Sequence, residues 1–242
     1  MPSPDERFLQ RALDLARQGI GLTSPNPCVG AILVDAGGEI IGTGCHTYDG
    51  VRHAEVLALE QAGDRARGAV LYVNLEPCSH QGRTGPCADA LIAAGVRRVV
   101  VGMDDPNPQV SGTGLARLRD AGISVASGIL KEEAQELNEP FAKFIRHQTP
   151  LVTLKAAMTL DGKIAPPPGA VGGATGGWIT SEPARAHVQE LRHQNDAILV
   201  GVGTIIADDP LLTDRSRRPR RRLLLRVILD SRLRLPLDSR IV

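Results

Sequence analysis

Aromatic side chains are scarce in this 242-residue chain, where phenylalanine, tryptophan and tyrosine together make up 2%. A core must therefore be packed from aliphatic residues and alanine, and there is little with which to stack nucleic-acid bases on aromatic rings. An excess of one charge is missing too, since 28 lysines and arginines face 27 aspartates and glutamates. That balance supplies no field for drawing in a polyanion or an anionic membrane surface. Four cysteines are too few for a disulfide framework at this length, which leaves metal binding or catalysis as their more natural use. No apolar run approaches the ~20 residues of a membrane span. The opening MPSPDERFLQ places acids where a signal peptide needs a basic start and an apolar stretch, so the expectation is a cytoplasmic protein. Internal repeats and a G-x-G-x-x-G phosphate loop are also absent.

What is present is an alternation of strand and helix patterns. DERFLQRALDLARQGI reads as an amphipathic helix, with Phe8, Leu9, Ala12, Leu13, Leu15 and Ala16 on one face and Gly19 as its stop. CVGAILVD and EIIGTGC read as strands joined by the Ala36-Gly37-Gly38 turn. Helix AEVLALEQAG, strand AVLYVNL, helix CADALIAAGV, strand RRVVVGM, helix GTGLARLRDAG, strand ISVAS and helix KEEAQELNEPFAKFI follow. Such alternation predicts an α/β sheet with helices on both faces. Around His147 to Pro150 the pattern restarts with a strand LVTLKAAM and a segment rich in proline and glycine, APPPGAVGGATGG, which sets a domain boundary between 147 and 148. A helix EPARAHVQELRHQ and strands AILVGV and LLLRVILDS look like the opening of a second α/β domain. Between those strands RSRRPRRR, Arg215 to Arg222, is the one strong charge run. With no aromatics interleaved it reads as a solvated, mobile loop rather than a nucleic-acid patch.

Chemistry concentrates in His53-Ala54-Glu55 and the downstream stretch NLEPCSHQGRTGPC. His53 and Glu55 open one predicted helix, and at i and i+2 they do not share a lateral face but both reach a point ahead of the helix end. Cys87 opens another helix and Cys78 lies in the loop before it. Helix N-termini and a nearby divalent cation both lower thiol pKa values, so the two sulfurs suit thiolate ligation. One histidine and two thiolates give Zn²⁺ three protein ligands, the count found where the fourth position is kept for water. Glu55 then serves as the base that takes a proton from that water and passes it to a leaving amine. The pattern of H-x-E followed by Pro-Cys is that of the zinc deaminases of nucleobases. A structural zinc site, completed by His80, is the competing reading, as is a nucleic-acid-editing deaminase. Cys28 and Cys45 fall inside strand patterns and read as small core residues.

These residues resemble the deaminase domain of the bifunctional riboflavin-biosynthesis deaminase/reductase family, in which the Pro-Cys spacing is expanded as in LEPCSHQGRTGPC. The resemblance extends through SPNPCVG (24–30), DPNPQVSGTGL (105–115), LKAAMTLDGKIA (154–165), WITSEPAR (178–185) and ADDPLLTDR (207–215). Gly85 stands where that family usually has proline, with Pro86 and Cys87 still in register. The resemblance implies a cytidine-deaminase-like three-layer αβα domain at 1–147 and, at 148–242, the N-terminal part of a dihydrofolate-reductase-like domain. It implies a diaminopyrimidinone ribosylamine phosphate as the substrate, whose ring amino group is hydrolysed away. Asn26 would bond the pyrimidine edge, and His46, His80 and Arg83 would line the ring and phosphate pocket, with Arg83 the best phosphate partner.

For the second domain the resemblance implies reduction of the ribosyl group to a ribityl chain by NADPH. Ala157, Trp178, Thr204, Asp208 and Ser231 are placed beside the dinucleotide, and Gly176, Arg192, Leu212 and Arg215 beside the substrate. Trp178 reads equally as a core residue, and Asp208-Asp209-Pro210 as a turn. The family's reductase continues well past the position of Val242, so this half is expected to be partial, weak in NADPH binding and poor in reduction. A small-molecule substrate, no nucleic acid, no membrane and a homo-oligomeric assembly complete the expectations.

Overall fold

The structure, a computed structural model, describes residues 2–108, 110–165 and 178–242. The chain divides into two compact units, Met1–Leu151 and Val152–Val242.

In the first unit helix α1 (Pro4–Arg17) starts as its sequence dictates. Ser3 Oγ accepts from the Glu6 N–H at 3.2 Å, and the Ser3 N–H donates to Glu6 Oε2 at 2.6 Å, closing a capping box with Pro4 in the first turn. Strands β1 (Gly30–Val34), β2 (Ile40–Cys45), β3 (Val70–Leu75), β4 (Arg98–Met103) and β5 (Ser124–Ser127) form one sheet in the order β2-β1-β3-β4-β5. Both pairings of β1 are antiparallel, whereas β3, β4 and β5 run parallel. The strand period of two sorts the core. Ile32, Val34, Val70, Tyr72 and Val100 pack with Leu9 and Ala12 of α1 on one face. Ala31, Leu33, Leu71, Val73, Val99 and Val101 face Ala54, Ala58, Ala88 and Leu91 on the other. Those last four belong to helices α2 (Ala54–Ala62) and α3 (Cys87–Ala94), so the arrangement is the expected three-layer αβα. Helices α4 (Thr113–Asp120), α5 (Lys131–Leu137) and α6 (Glu139–His147) complete the unit.

The helix expected over KEEAQELNEPFAKFI is two helices, broken at Asn138. Pro140 has no N–H to donate to the preceding turn and disfavours helical geometry before it. The Asn138 side chain is meanwhile bonded far away, to the backbone of Cys28.

The second unit contains α7 (Glu182–Gln194), β6 (Ala197–Gly201), α8 (Val202–Asp208) and β7 (Leu225–Leu229), with β6 and β7 parallel. Its core is Ile205, Leu212 and Ile241, backed by Ile198, Val200 and Ile228. LVTLKAAM forms no strand; Val152 and Leu154 are exposed, and nothing among the described residues pairs with their backbone. The basic run is not simply a solvated loop. Arg220 is largely buried and donates to the carbonyls of Arg192, His193 and Asn195 at 2.9–3.0 Å, closing the C-terminal end of α7 where a cation suits the helix dipole.

Helix α2 lies almost on the backbone of β2. A Cβ at Gly44 would sit 2.0 Å from the Ala54 carbonyl oxygen, so only glycine permits the approach that fixes the start of α2, beside His53 and Glu55. Gly44→Ala should destabilise the first unit by about 1–3 kcal/mol, the usual range for overpacking, and weaken metal retention at the same time. Denaturant melts of the two unfolding steps, with metal analysis, check this: a neutral melt would mean that α2 is free to shift.

Candidate metal centre and active site

Three chain segments converge at the C-terminal ends of the parallel strands. His53 is the N-cap residue of α2, with extended backbone (φ −76°, ψ 157°), so its side chain projects ahead of the helix. Cys87 is the first residue of α3, and its N–H donates to Cys78 Sγ at 3.3 Å. Cys78 follows β3 and is held by its own carbonyl, which accepts from the Ala88 N–H at 3.1 Å. His53 Nδ1 lies 3.1 Å from Cys87 Sγ and 3.5 Å from Cys78 Sγ, and the three ligand atoms are all within 4.8 Å of one another. Tetrahedral bonds of ordinary zinc length set nitrogen and sulfur about 3.6 Å apart, so the triad has the dimensions of a zinc centre. The donor set agrees. A hydrogen bond from the Cys87 thiol lowers Cys78, while the same bond and burial raise Cys87, and a divalent cation would favour both as thiolates.

Glu55, in the first turn of α2, is buried and its Oε2 has no hydrogen-bond partner. Such an atom costs about 1–3 kcal/mol. Burial pushes the carboxyl up to about 7, opposed by the charge of His53. A group of that pKa both takes and gives a proton near neutrality. His80 is exposed and does not join the cluster, which among the described residues comprises His53, Cys78 and Cys87.

Asn26 and His46 meet at the same place. Asn26 Nδ2 is 3.0 Å from His46 Nε2, and the His46 ring stands edge-on to that of His53 with centroids 5.4 Å apart. Arg83 lies over the Tyr48 ring at 5.1 Å and donates to the Tyr48 carbonyl at 3.3 Å, an exposed guanidinium held in place. Cys28 and Cys45 take no part: burial raises both thiols, Cys45 to about 11, and Cys28 precedes β1 rather than lying within it.

Sequence reasoning missed three residues that hold this site. Glu76 is buried and accepts four backbone N–H bonds, from Gly114 and Leu115 on Oε1 and from Asp105 and Gly112 on Oε2, at 2.9–3.3 Å. Asn74 accepts from Gly30 N–H and donates to the Cys28 carbonyl, both at 2.9 Å. Asn138 accepts from Cys28 N–H at 2.8 Å and donates to the same carbonyl at 3.1 Å. The available signal was an amide and a carboxylate within and just beyond the apolar run AVLYVNL, since buried polar groups in a strand need partners.

In the second unit Arg192 donates to the Thr213 carbonyl at 2.8 Å, and Arg215 is near enough for their like charges to oppose each other. Leu212 is a core residue, packed with Ile205. Trp178 is exposed rather than in the core, beneath the Arg185 guanidinium at 4.9 Å. Thr204 and Asp208 lie on α8, Ser231 follows β7, Ala157 is in irregular chain and Gly176 lies outside the described residues. The buried group here is Asp214, which accepts from His193 at 3.0 Å and Arg220 at 3.1 Å. Burial alone would raise its carboxyl, but the Ser216 backbone and hydroxyl, His193 and Arg220 together hold it well below the usual carboxylate range.

Fold and site resemble the zinc-binding region of the cytidine deaminases. Residues 2–103 match the cytidine and deoxycytidylate deaminase zinc-binding region, and residues 150–242 match the RibD C-terminal domain. Over nearly its whole length the chain is similar to RibD riboflavin biosynthesis proteins. It is 49% identical to the Synechocystis RibD over 98% of its own length and 62% of the relative's, and 49% identical to the Aquifex aeolicus RibD over 98% and 65%. Among solved structures it is similar to Acinetobacter baumannii RibD, with 45% identity and a TM-score of 0.86 over 98% of this chain and 66% of that one. A Thermotoga maritima diaminohydroxyphosphoribosylaminopyrimidine deaminase/5-amino-6-(5-phosphoribosylamino)uracil reductase gives 44% and 0.86 over the same shares. The chain thus spans less than two thirds of the length of these relatives.

Glu76→Gln places an amide N–H₂ among four N–H donors, and should cost about 2–4 kcal/mol of stability while loosening the Cys78 loop. Denaturant melts and zinc competition against a chelator are the measurements, and unchanged zinc retention would refute the link. Asp214, with its folded pKa depressed, stabilises the second unit fully above the unfolded value of about 4 and loses that contribution as pH falls toward the folded value. Protection of β6 and β7 from hydrogen exchange, relative to the intrinsic rate at each pH, should therefore fall below about pH 4, and Asp214→Asn should lower it already at pH 7.

Proposed function

We propose that the first unit is a zinc-dependent aminohydrolase of riboflavin biosynthesis, acting on 2,5-diamino-6-(ribosylamino)pyrimidinone 5'-phosphate. The observation that carries this reading is the unpartnered, buried Glu55 Oε2 beside a three-ligand centre. His53, Cys78 and Cys87 would hold the zinc, which when bound would supply acidification of a water molecule. Glu55 takes a proton from the attacking water as the C–O bond forms at the amino-bearing carbon. It gives that proton to the ring nitrogen of the C=N bond that opens, then moves the new hydroxyl's proton to the amine nitrogen as the C–N bond breaks, so that ammonia leaves and a ring carbonyl remains. Asn26 bonds the pyrimidine edge, His46 and His80 line the pocket and Arg83 takes the phosphate in its planar fork.

The second unit, as part of a RibD C-terminal domain, is read as contributing to NADPH-dependent reduction of the ribosyl group. Ala157, Trp178, Thr204, Asp208 and Ser231 serve the dinucleotide, and Gly176, Arg192, Leu212 and Arg215 the substrate. The functional boundary is placed at 147/148. The partner is a small phosphorylated heterocycle rather than nucleic acid, in keeping with the balanced charge. A homo-oligomer in the cytoplasm belongs to the same reading; among the described residues no helix is long and apolar enough to cross a membrane.

Incubating the protein with the substrate, with and without NADPH, and weighing each product separates the two activities. Glu55→Gln should retain one zinc per chain and the fold while deamination falls about 10²–10⁴-fold, the range of a general acid–base group. A loss below about tenfold would mean that another group moves the proton.

A further inference from the structure

His46 is tied at both ring nitrogens, and the two ties are not equivalent. Nδ1 lies 2.9 Å from the Arg52 carbonyl oxygen, which can only accept, so Nδ1 carries the proton. In the neutral ring Nε2 is then a bare acceptor, and the Asn26 atom 3.0 Å from it must be the amide nitrogen, the only donor on that side chain. The Asn26 Oδ1, on the other branch of the amide, has no hydrogen bond to the ring or elsewhere among the described residues.

The Arg52 carbonyl is itself set by a strained turn. Val51, a β-branched residue, has φ of +62°, and the Arg52 N–H reaches back to the Gly50 carbonyl at 2.6 Å, a three-residue turn of the rare positive-φ kind. Such a turn is unfavourable for a β-branched residue and persists only where its surroundings impose it. Here its product is a carbonyl aimed at His46. On the other side the chain two residues after Asn26 is fixed by Asn74 and Asn138, which bond both the N–H and the C=O of Cys28.

We propose that His46 is a positioning residue that locks Asn26 with its carbonyl oxygen toward the substrate, so that the site selects heterocycles offering an N–H at that edge. Resting on the aminohydrolase reading, this makes the ring N–H beside the amino-bearing carbon the group recognised. A heterocycle with a bare ring nitrogen or a carbonyl there would set acceptor against acceptor, and a site built around one hydrogen bond rejects such a partner strongly.

Two measurements decide it. In ¹⁵N-histidine-labelled, zinc-loaded protein at pH 8, His46 should show a protonated Nδ1 and a bare Nε2; a protonated Nε2 overturns the relay regardless of any activity. In the non-reacting Glu55→Gln protein, calorimetry with the proposed substrate should show affinity falling about tenfold on Asn26→Ala, the size of one hydrogen bond. His46→Leu should cost a similar factor, and the double variant no more than either single one. The analogue methylated at that ring nitrogen should bind about tenfold more weakly than the substrate, and equally once Asn26 is alanine. Additive losses, or a methyl penalty that survives Asn26→Ala, overturn the proposal. Failure of Glu55→Gln to bind the substrate at all would instead reject the aminohydrolase reading, with the relay still judged by the nitrogen spectrum. Should His46→Leu not fold, the spectrum and the Asn26→Ala arm suffice.

Discussion

One buried carboxylate fixes where the chain can go around the metal centre. Glu76 sits two residues before Cys78, out of water, and draws four backbone N–H groups onto its two oxygens. Removing a charge from water is costly unless donors replace the lost hydration, and here the donors come from the loop before α4 and its first turn. The carboxylate therefore binds that segment as an anion is bound at a helix start. The approach is close enough that a Cβ at Gly114 would lie 2.0 Å from the Pro77 carbonyl oxygen, which requires glycine there. With Pro77 pinned between Glu76 and α4, Cys78 is delivered to the mouth of α3, where Cys87 waits.

Much of the first unit was legible because its signals are local. Ser3 with Glu6 announces a helix start, β3 and β4 are continuous apolar runs as parallel strands buried on both faces should be, and His53, Glu55, Cys78 and Cys87 carry their chemistry in their spacing. What escaped is long-range. That Asn138 would bond Cys28, 110 residues away, has no trace in either neighbourhood, and satisfying that bond is one reason a seemingly continuous helix breaks at that residue. Glu76 was visible as a letter but not as a fourfold acceptor, because its donors are backbone groups, which have no sequence identity. Arg220 shows the converse. A run of arginines looks like a solvated surface until one of them finds three carbonyls at a helix end.

The second unit yields less to the same reading because its elements are not closed on both sides. In β6 and β7 Ile198, Val200 and Ile228 reach the small core, while Leu199, Leu225 and Leu229 are exposed. Sequence periodicity reports what a strand is built to bury, whereas the structure reports what covers it, and the two coincide only where the layers are complete. Its firm point is instead polar. Asp214 binds His193 and Arg220 together and anchors the end of α7 to the chain leading into β7, a tie that periodicity cannot encode.

The division of labour between His53 and Glu55 follows from where a helix begins. As the N-cap residue His53 keeps extended backbone, so its ring leaves the helix axis and meets sulfurs delivered by other segments. Two positions later Glu55 has entered the helix and its carboxyl is folded back into the buried layer, close enough to Cys87 for a hydrogen bond to the thiol, yet with Oε2 unpartnered. Were the two residues a full turn apart within the helix they would present side by side, and both would be ligands. Spacing of two across the cap sets the His53 ring beside the sulfurs and leaves the Glu55 carboxyl free for the proton transfer proposed for it. The same step explains the glycine at position 44, because α2 must start at a fixed height above the sheet for its cap to meet Cys78 and Cys87, and a single methyl group on β2 would lift it.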